Sequence, residues 1–305
     1  MIREFVYIDN KFVKKEDAKI SVMTHGFLYG TSVFEGIRAY YNKDEHQMYA
    51  FRLEEHFERF IRSAKVMHID IGKSVEELCD ITKELLKKNN YHTDVYIRPT
   101  AYKSHESVRT HMLDGSDGLI IFSVPLGETL KTNDGLEVCV SNWRRTCDNA
   151  IPPSAKIGGA YANTALVATD AKLAGFDEAV TLSENGDVME GSTMNLFLVI
   201  DGKLVTTASN CGILEGITRN TIIELAKNNG IPVEQRRVQR SELYYATEAF
   251  FCGTSAQICV ITSIDKRPVG TGKIGKISSM LQKEYFDAVH GLIPQYKKWC
   301  SKIYD

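Results

Sequence analysis

Residues 143–163 read W-R-R-T-C-D-N-A-I-P-P-S-A-K-I-G-G-A-Y-A-N, and the reading of Lys156 among them decides the fold. Ser154, Ala155, Ile157, Gly158, Gly159 and Ala160 surround it, all small or apolar. A solvated lysine is the ordinary case. A lysine pressed against apolar groups instead loses hydration of its charged form, and its amine becomes a nucleophile able to form a Schiff base. The glycines let a ligand approach the backbone closely. An amphipathic helical pattern starts at Tyr161. The rest of the chain is then read as what holds the lysine's partner.

Working outward, the chain has 305 residues, 43% of them hydrophobic and 25% charged, which fits two globular domains with a real core. A net charge of −2 gives no case for nucleic acid or an acidic membrane as partner. Seven cysteines without a C-x-x-C pair suit free thiols in a reducing cytosol, not a zinc site or a dithiol couple. The opening M-I-R-E-F-V-Y-I-D-N is a strand pattern with charges, not a secretory run, and nothing approaches the ~18 apolar residues of a membrane span. The expectation is a cytoplasmic protein with no metal.

Glu4–Ile8 and Phe12–Lys14 flank Asp9-Asn10-Lys11 as an opening hairpin. Residues 22–40 read as a glycine-punctuated loop entering a strand. Their glycines serve turns, or the stretch is a ligand wall projecting Tyr29, Phe34 and Arg38. Residues 53–68 and 74–90 have helical spacing. Arg59 stands beside the apolar face of the first, where it snorkels to solvent or meets a buried anion. Val95–Pro99 is a strand with Tyr96 and Arg98 on one face, and Leu119–Val124 is a buried strand. This is an α+β domain over 1–124. Pro125–Gly135 reads as a linker, and 136–305 as a larger domain carrying Lys156. Strands 136–141, 179–182, 188–190, 196–200, 203–206, 250–252 and 258–264 imply a mixed, barrel-like sheet. Asn185-Gly186 and Asp201-Gly202 mark hairpins within it. Helices are expected at 161–174, 218–229 and 276–289.

Three short motifs could carry chemistry. Leu214-Glu215-Gly216-Ile217-Thr218-Arg219 opens a helix, whose first N–H groups suit a phosphate unless Thr218 is simply the N-cap. Glu190 ends a strand before Gly191-Ser192-Thr193, where it could pair with a protonated ring nitrogen or cap the turn. Gly253-Thr254-Ser255 forms an anion-holding nest or a plain turn. Gly270–Gly275 matches G-x-G-x-x-G, but too little chain follows for a βαβ unit, so it reads as a turn.

Together these resemble the fold-type IV pyridoxal-phosphate aminotransferases, nearest the branched-chain amino acid aminotransferases. The carrying residues are Y-G-T-S-V-F-E-G-I-R (29–38), E-H-F-E-R (55–59), Y-I-R-P (96–99), A-K-I-G-G-A-Y (155–161), M-E-G-S-T-M-N-L-F (189–197), L-E-G-I-T-R (214–219) and C-G-T-S-A (252–256). The resemblance implies Lys156 as the Schiff-base lysine and proton shuttle, and Glu190 as partner of the pyridinium nitrogen. It implies that Arg59, Gly216, Ile217, Thr218, Gly253 and Thr254 hold the phosphate, Tyr161 the phenolic oxygen, and Leu214 the ring face. Tyr96, Thr254 and Ser255 take the substrate carboxylate. Phe34, Arg38 and Tyr29, the last from a second subunit, line the side-chain pocket, and Arg98 meets the distal carboxylate of glutamate. It further implies transamination between branched-chain L-amino acids and 2-oxoglutarate by a homodimer or a hexamer of dimers. A D-amino acid aminotransferase and an aminodeoxychorismate lyase share the fold and remain alternatives. Leu126 and Thr129 stand where some relatives place an aromatic pair over the substrate, which leaves pocket selectivity open.

Overall fold

The computed structural model describes residues 4–113, 115–127 and 134–305. In chain order they form β1 (Phe5–Ile8), β2 (Lys11–Lys14), α1 (His25–Tyr29), β3 (Ser32–Phe34), β4 (Ile37–Asn42) and β5 (Gln47–Phe51). Next come α2 (Leu53–Val66), α3 (Val75–Asn89), β6 (Val95–Lys103) and β7 (Asp117–Pro125). Then follow β8 (Leu136–Arg144), α4 (Tyr161–Leu173), β9 (Glu178–Leu182), β10 (Val188–Gly191), β11 (Asn195–Ile200) and β12 (Lys203–Thr207). Last are α5 (Ile217–Asn228), β13 (Val233–Arg236), β14 (Glu248–Gly253), β15 (Gln257–Ile264), β16 (Arg267–Pro268), α6 (Lys276–Val289) and β17 (Cys300–Lys302).

These elements pack as two compact units. Unit 1 holds the chain up to Gly127 together with Ala155–Gly159 and Asp287–Asp305; unit 2 holds the remainder. Unit 1 is built on an antiparallel sheet in the order β17-β5-β4-β6-β7-β1-β2, with β3 added to β6. The opening hairpin turns at Asp9 and Asn10, whose φ of 51° and 60° match the right-handed twist of the strands they join. Leu53, Phe57, Phe60 and Ala64 form the buried face of α2, as their spacing predicts. Ser74 and Glu77 make a reciprocal capping box at the start of α3. The stretch 22–40 is more ordered than its glycines suggest: it holds α1, β3 and most of β4.

The packing divides the chain differently from the expected boundaries at 124 and 136. Lys156 was expected within the domain 136–305, yet its pentapeptide packs in unit 1. The reason is backbone pairing: Ile157 bridges Val33, and Phe34 N–H donates to the Lys156 carbonyl at 3.0 Å. Gly159 N–H donates to the Gly30 carbonyl at 3.0 Å, and a Cβ on Gly30 would stand 2.7 Å from Gly159 Cα. The glycine beside the lysine therefore admits the chain's own backbone. The C-terminal strand returns to unit 1 in the same way, Cys300 pairing opposite Phe51. Of the expected linker, residues 128–133, Thr129 among them, lie outside the described residues.

Unit 2 carries a mixed, barrel-like sheet in the order β10-β9-β8-β15-β14-β11-β12-β13, with β16 on β15. The β8–β9, β8–β15 and β12–β13 pairs are parallel. Leu136, Val138, Val180, Leu196, Leu198 and Phe251 belong to its core. Asp201 and Gly202 (φ 49° and 74°) make the two-residue turn expected of them, pairing Ile200 with Lys203. The Asn185-Gly186 hairpin is wider, linking Leu182 to Val188 through residues 183–187. Helix α4 buries only Thr164, Val167 and Ala171, leaving Leu166 and Leu173 exposed, a narrower stripe than the sequence pattern implies. Gly270 and Gly272 adopt positive φ in a turn before α6, as read from the sequence. All seven cysteines are free thiols. Among the described residues no helix is long and apolar enough to cross a membrane.

Candidate active site

Unit 1 sets Lys156 and Arg98 against the Phe34 ring, with Tyr96 beside Arg98. Strand β3 ends at Phe34, beside the Lys156 carbonyl that its N–H holds. The half-buried Lys156 places its Nζ 5.0 Å from the Phe34 ring centroid. Arg98 sets its guanidinium 4.2 Å from the same centroid. Tyr96 and Arg98 share the less buried face of β6, as the two-residue period predicts, and the Tyr96 hydroxyl accepts from Arg98 Nη2 at 2.7 Å. Among the described residues no carboxylate lies within ion-pair distance of Arg98. It is a guanidinium fixed through Nε and Nη2 by the Tyr96 hydroxyl, with its charge not met by a carboxylate among the described residues.

Behind Phe34 lies a buried ionic cluster on α2. Arg59 does not reach solvent: its Nε and Nη2 donate to the two carboxylate oxygens of Glu35 at 2.7 and 2.8 Å. His56 Nδ1 stands 2.8 Å from Glu35 Oε2. Burial alone disfavours the Glu35 charge, but Arg59 and His56 overcome it and hold the carboxyl well below its usual range. Burial pushes the His56 ring down despite the pull of Glu35, so the imidazole is neutral near pH 7. One turn on, Ser63 Oγ accepts the Lys156 N–H at 3.1 Å. His56, Arg59 and Ser63 thus line one helix face, at the i, i+3, i+7 spacing that also buries the apolar residues. Tyr29 and Arg38 stand apart from this group. Tyr29 is 41% exposed on α1 and donates to the Val108 carbonyl, and Arg38 is buried and donates to the Leu126 and Gly127 carbonyls.

Unit 2 gathers the other half around Asn195. Glu190, nearly fully buried on β10, accepts from Arg145 Nε at 2.8 Å and from Asn195 Nδ2 at 3.2 Å. The turn after it closes through Gly191 N–H and the Met194 carbonyl, so the carboxylate is not spent on capping it. Asn195 Nδ2 also donates to the Leu214 carbonyl at 2.9 Å, and its Oδ1 fills the space that a Cβ on Gly216 would need. One amide therefore ties the acid to the segment entering α5. That helix starts at Ile217 behind Gly216, and no side chain among the described residues caps it. Thr218 is the second helical residue, so the N-cap reading of it is corrected: a side chain already inside the first turn cannot reach forward as a cap. The first N–H groups of α5, with the Thr218 hydroxyl, remain a set of donors suited to an anion.

Cross-strand pairing sets Cys252 of β14 opposite Asn195, so Gly253 and the Thr254–Ala256 turn follow directly beside that residue. Tyr161 is the first residue of α4 and partly exposed. Glu35, His56, Ser63, Arg145 and Asn195 were not singled out from the sequence. Glu35, His56 and Asn195 stand inside the quoted motifs, and only their tertiary contacts give them a task.

The donor sets fit a phosphorylated pyridine aldehyde: a half-buried amine in unit 1, and in unit 2 a buried carboxylate fixed beside an uncapped helix start. Comparison with known proteins agrees. The class IV amino-transferase family matches residues 32–264. A probable branched-chain-amino-acid aminotransferase of Aquifex aeolicus (strain VF5) is 45% identical, covering 99% of this chain and 97% of its own. The branched-chain amino acid aminotransferase of Thermobaculum terrenum, solved in its PLP form, superposes with a TM-score of 0.95 at 35% identity over 99% of both chains. The T.th. enzyme of the same name, solved with N-(5'-phosphopyridoxyl)-L-glutamate, gives 0.94 at 38% identity over 99% of both chains. Matched along nearly its whole length, the chain belongs to the class IV aminotransferases, in their branched-chain-amino-acid branch.

Proposed function

We propose that this protein is a branched-chain aminotransferase that moves the amino group of leucine, isoleucine or valine to 2-oxoglutarate, with pyridoxal 5'-phosphate as its cofactor. The observation that carries the reading is Phe34, packed against both an amine (Lys156) and a guanidinium with no carboxylate partner among the described residues (Arg98). An apolar substrate chain lies against the ring; an acidic one reaches past it to Arg98. One pocket thus takes both halves of the exchange in turn. The relative solved with a phosphopyridoxyl-glutamate adduct accords with the acidic half.

When bound, the cofactor would supply an electron sink for the electron pair left on the substrate carbon as its proton departs. Lys156 would hold it and would carry the departing proton as general base and acid. Glu190, held by Arg145 and Asn195, would keep the ring nitrogen protonated. Leu214 would pack on the ring and Tyr161 would bond its phenolic oxygen. The α5 N–H groups of Ile217 and Thr218, with Gly216, Arg59, Gly253 and Thr254, would hold the phosphate. Tyr96 and the Thr254–Ser255 backbone take the substrate carboxylate. Arg38, bonded to the Leu126 and Gly127 carbonyls, shapes the pocket wall.

The working form is a homodimer or a hexamer of dimers, in the cytoplasm. Val22, Met23, Phe27, Val108 and Leu113 are 51–76% exposed on unit 1, a cluster of apolar side chains that a second copy would cover, bringing Tyr29 to its neighbour's pocket. Steady-state rates with L-Leu, L-Ile, L-Val, their D-enantiomers and D-Ala, each against 2-oxoglutarate, test the assignment. The L-branched donors should lead by at least ~100-fold, a discrimination of ~2.7 kcal/mol. Equal or better turnover of D-amino acids contradicts it.

A further inference from the structure

Resting on the reading that the α5 N-terminus takes the cofactor phosphate, we propose that Arg219 adds its charge to that site without touching the ligand, making the site selective for a dianion. Arg219 is the third residue of α5 and is 1% exposed. Its Nη2 donates to the Thr207 carbonyl and to Gln235 Oε1, each at 2.9 Å, and its Nη1 to Asn220 Oδ1 at 3.3 Å. Its Nε is buried without a partner among the described residues. Every acceptor is neutral, and no carboxylate among the described residues lies within ion-pair distance. The neighbouring Cys252 thiol is pushed far up by burial and supplies no counter-charge.

A buried guanidinium without a counter-ion is costly unless something else balances it. Burial does work against its charged form here, and Glu215 and Glu190 help only from beyond ion-pair distance. The other charge-bearing feature is the first turn of α5, whose helix dipole is positive and whose N–H groups no described side chain caps. Both belong to the first turn of α5, so the two positive features raise each other's cost, and an anion at the helix start relieves both. A structural role alone, tying α5 to β12 and β13, needs the hydrogen bonds but not the charge.

The test compares Gln235→Glu, Arg219→Gln and Arg219→Lys with the wild type. Gln235→Glu keeps the hydrogen-bond geometry while giving Arg219 a counter-ion, so it removes the free charge without removing the strut. The full chain, freed of cofactor, is titrated with pyridoxal 5'-phosphate and with pyridoxal, and the ratio of the two affinities is taken. Melting temperature with and without inorganic phosphate is the second readout. The wild type and Arg219→Lys should prefer the phosphorylated ligand strongly and be stabilised by phosphate. In Gln235→Glu and Arg219→Gln the affinity ratio should fall about ten-fold, and phosphate should stabilise less. Gln235→Glu alone should melt no lower than the wild type. Unchanged ratios in both variants, whatever their melting temperatures, overturn the inference and leave Arg219 a strut. A wild type that does not prefer the phosphorylated ligand overturns the phosphate reading as well.

Discussion

At the scale of single residues, the decisive charges sit where water cannot serve them. Glu35 is fully buried between Arg59 and His56. Glu35→Gln takes the carboxylate charge away from the buried Arg59 guanidinium and should cost about 3 kcal/mol at pH 7, read by urea unfolding. The pH dependence has a definite sign. The folded carboxyl is held below its ordinary 4.5, so its stabilisation is complete above that value and is lost as pH falls further. His56, held below its ordinary 6.5, loses its contribution in the same direction, starting from that higher pH. The gap between wild type and Glu35→Gln should therefore narrow below pH 4.5; a constant gap contradicts the ion-pair account. The shared face of Tyr96 and Arg98 was legible in the sequence from the two-residue period, and Lys156 stood out by its small and apolar neighbours; the roles of Lys156, Glu190 and Phe34 came only from the family resemblance. Arg145 was not legible. A surface arginine and one that grips a buried acid look alike until β8 and β10 are set in the same sheet.

Among elements, the start of α5 shows how a glycine is fixed by its neighbour. Gly216→Ala drives a methyl group into Asn195 Oδ1, the amide that also holds Glu190 and the Leu214 carbonyl. The variant should bind pyridoxal 5'-phosphate about ten-fold more weakly and lose roughly 1–3 kcal/mol of stability, the cost of overpacking. Equilibrium titration and thermal melts check both. Ser74→Ala is the contrast: it breaks the α3 capping box, should cost about 1 kcal/mol, and should leave kinetic constants unchanged. The helices and the Asp201-Gly202 hairpin could be read from the sequence because their signals are local: apolar period, cap and positive-φ turn. Strands β5, β13 and β17 could not. Gln47–Phe51 is a short run buried on both faces, without the alternation that marks a strand, and Cys300–Lys302 is a strand only because Phe51 waits far back in the chain. The N-cap expected at Thr218 failed by the same logic, since Asn195, distant in sequence, makes Gly216 the residue that fits.

For the molecule as a whole, chain order and spatial order part company. The lysine pentapeptide and the C-terminal strand belong to unit 1 although long stretches of unit 2 lie between them. No linear division of the sequence reveals that, because it depends on Gly30 meeting Gly159 and on Cys300 meeting Phe51. The exposed apolar cluster of unit 1 makes a prediction at this scale. Phe27, 66% exposed, should be covered in the assembled enzyme. Phe27→Asp should shift sedimentation towards a smaller species than the wild type, and an unchanged particle contradicts that placement of the interface. The central claim is tested most directly by a half-reaction. Cofactor-loaded wild-type protein and Lys156→Ala are each mixed with one equivalent of L-leucine and no acceptor. The wild type should convert leucine to its 2-oxo acid stoichiometrically with bleaching of its visible absorbance, and 2-oxoglutarate should then restore the colour and yield glutamate. Lys156→Ala should do neither. Conversion by Lys156→Ala at the wild-type rate, or an intact wild type that leaves leucine unchanged, would contradict the account.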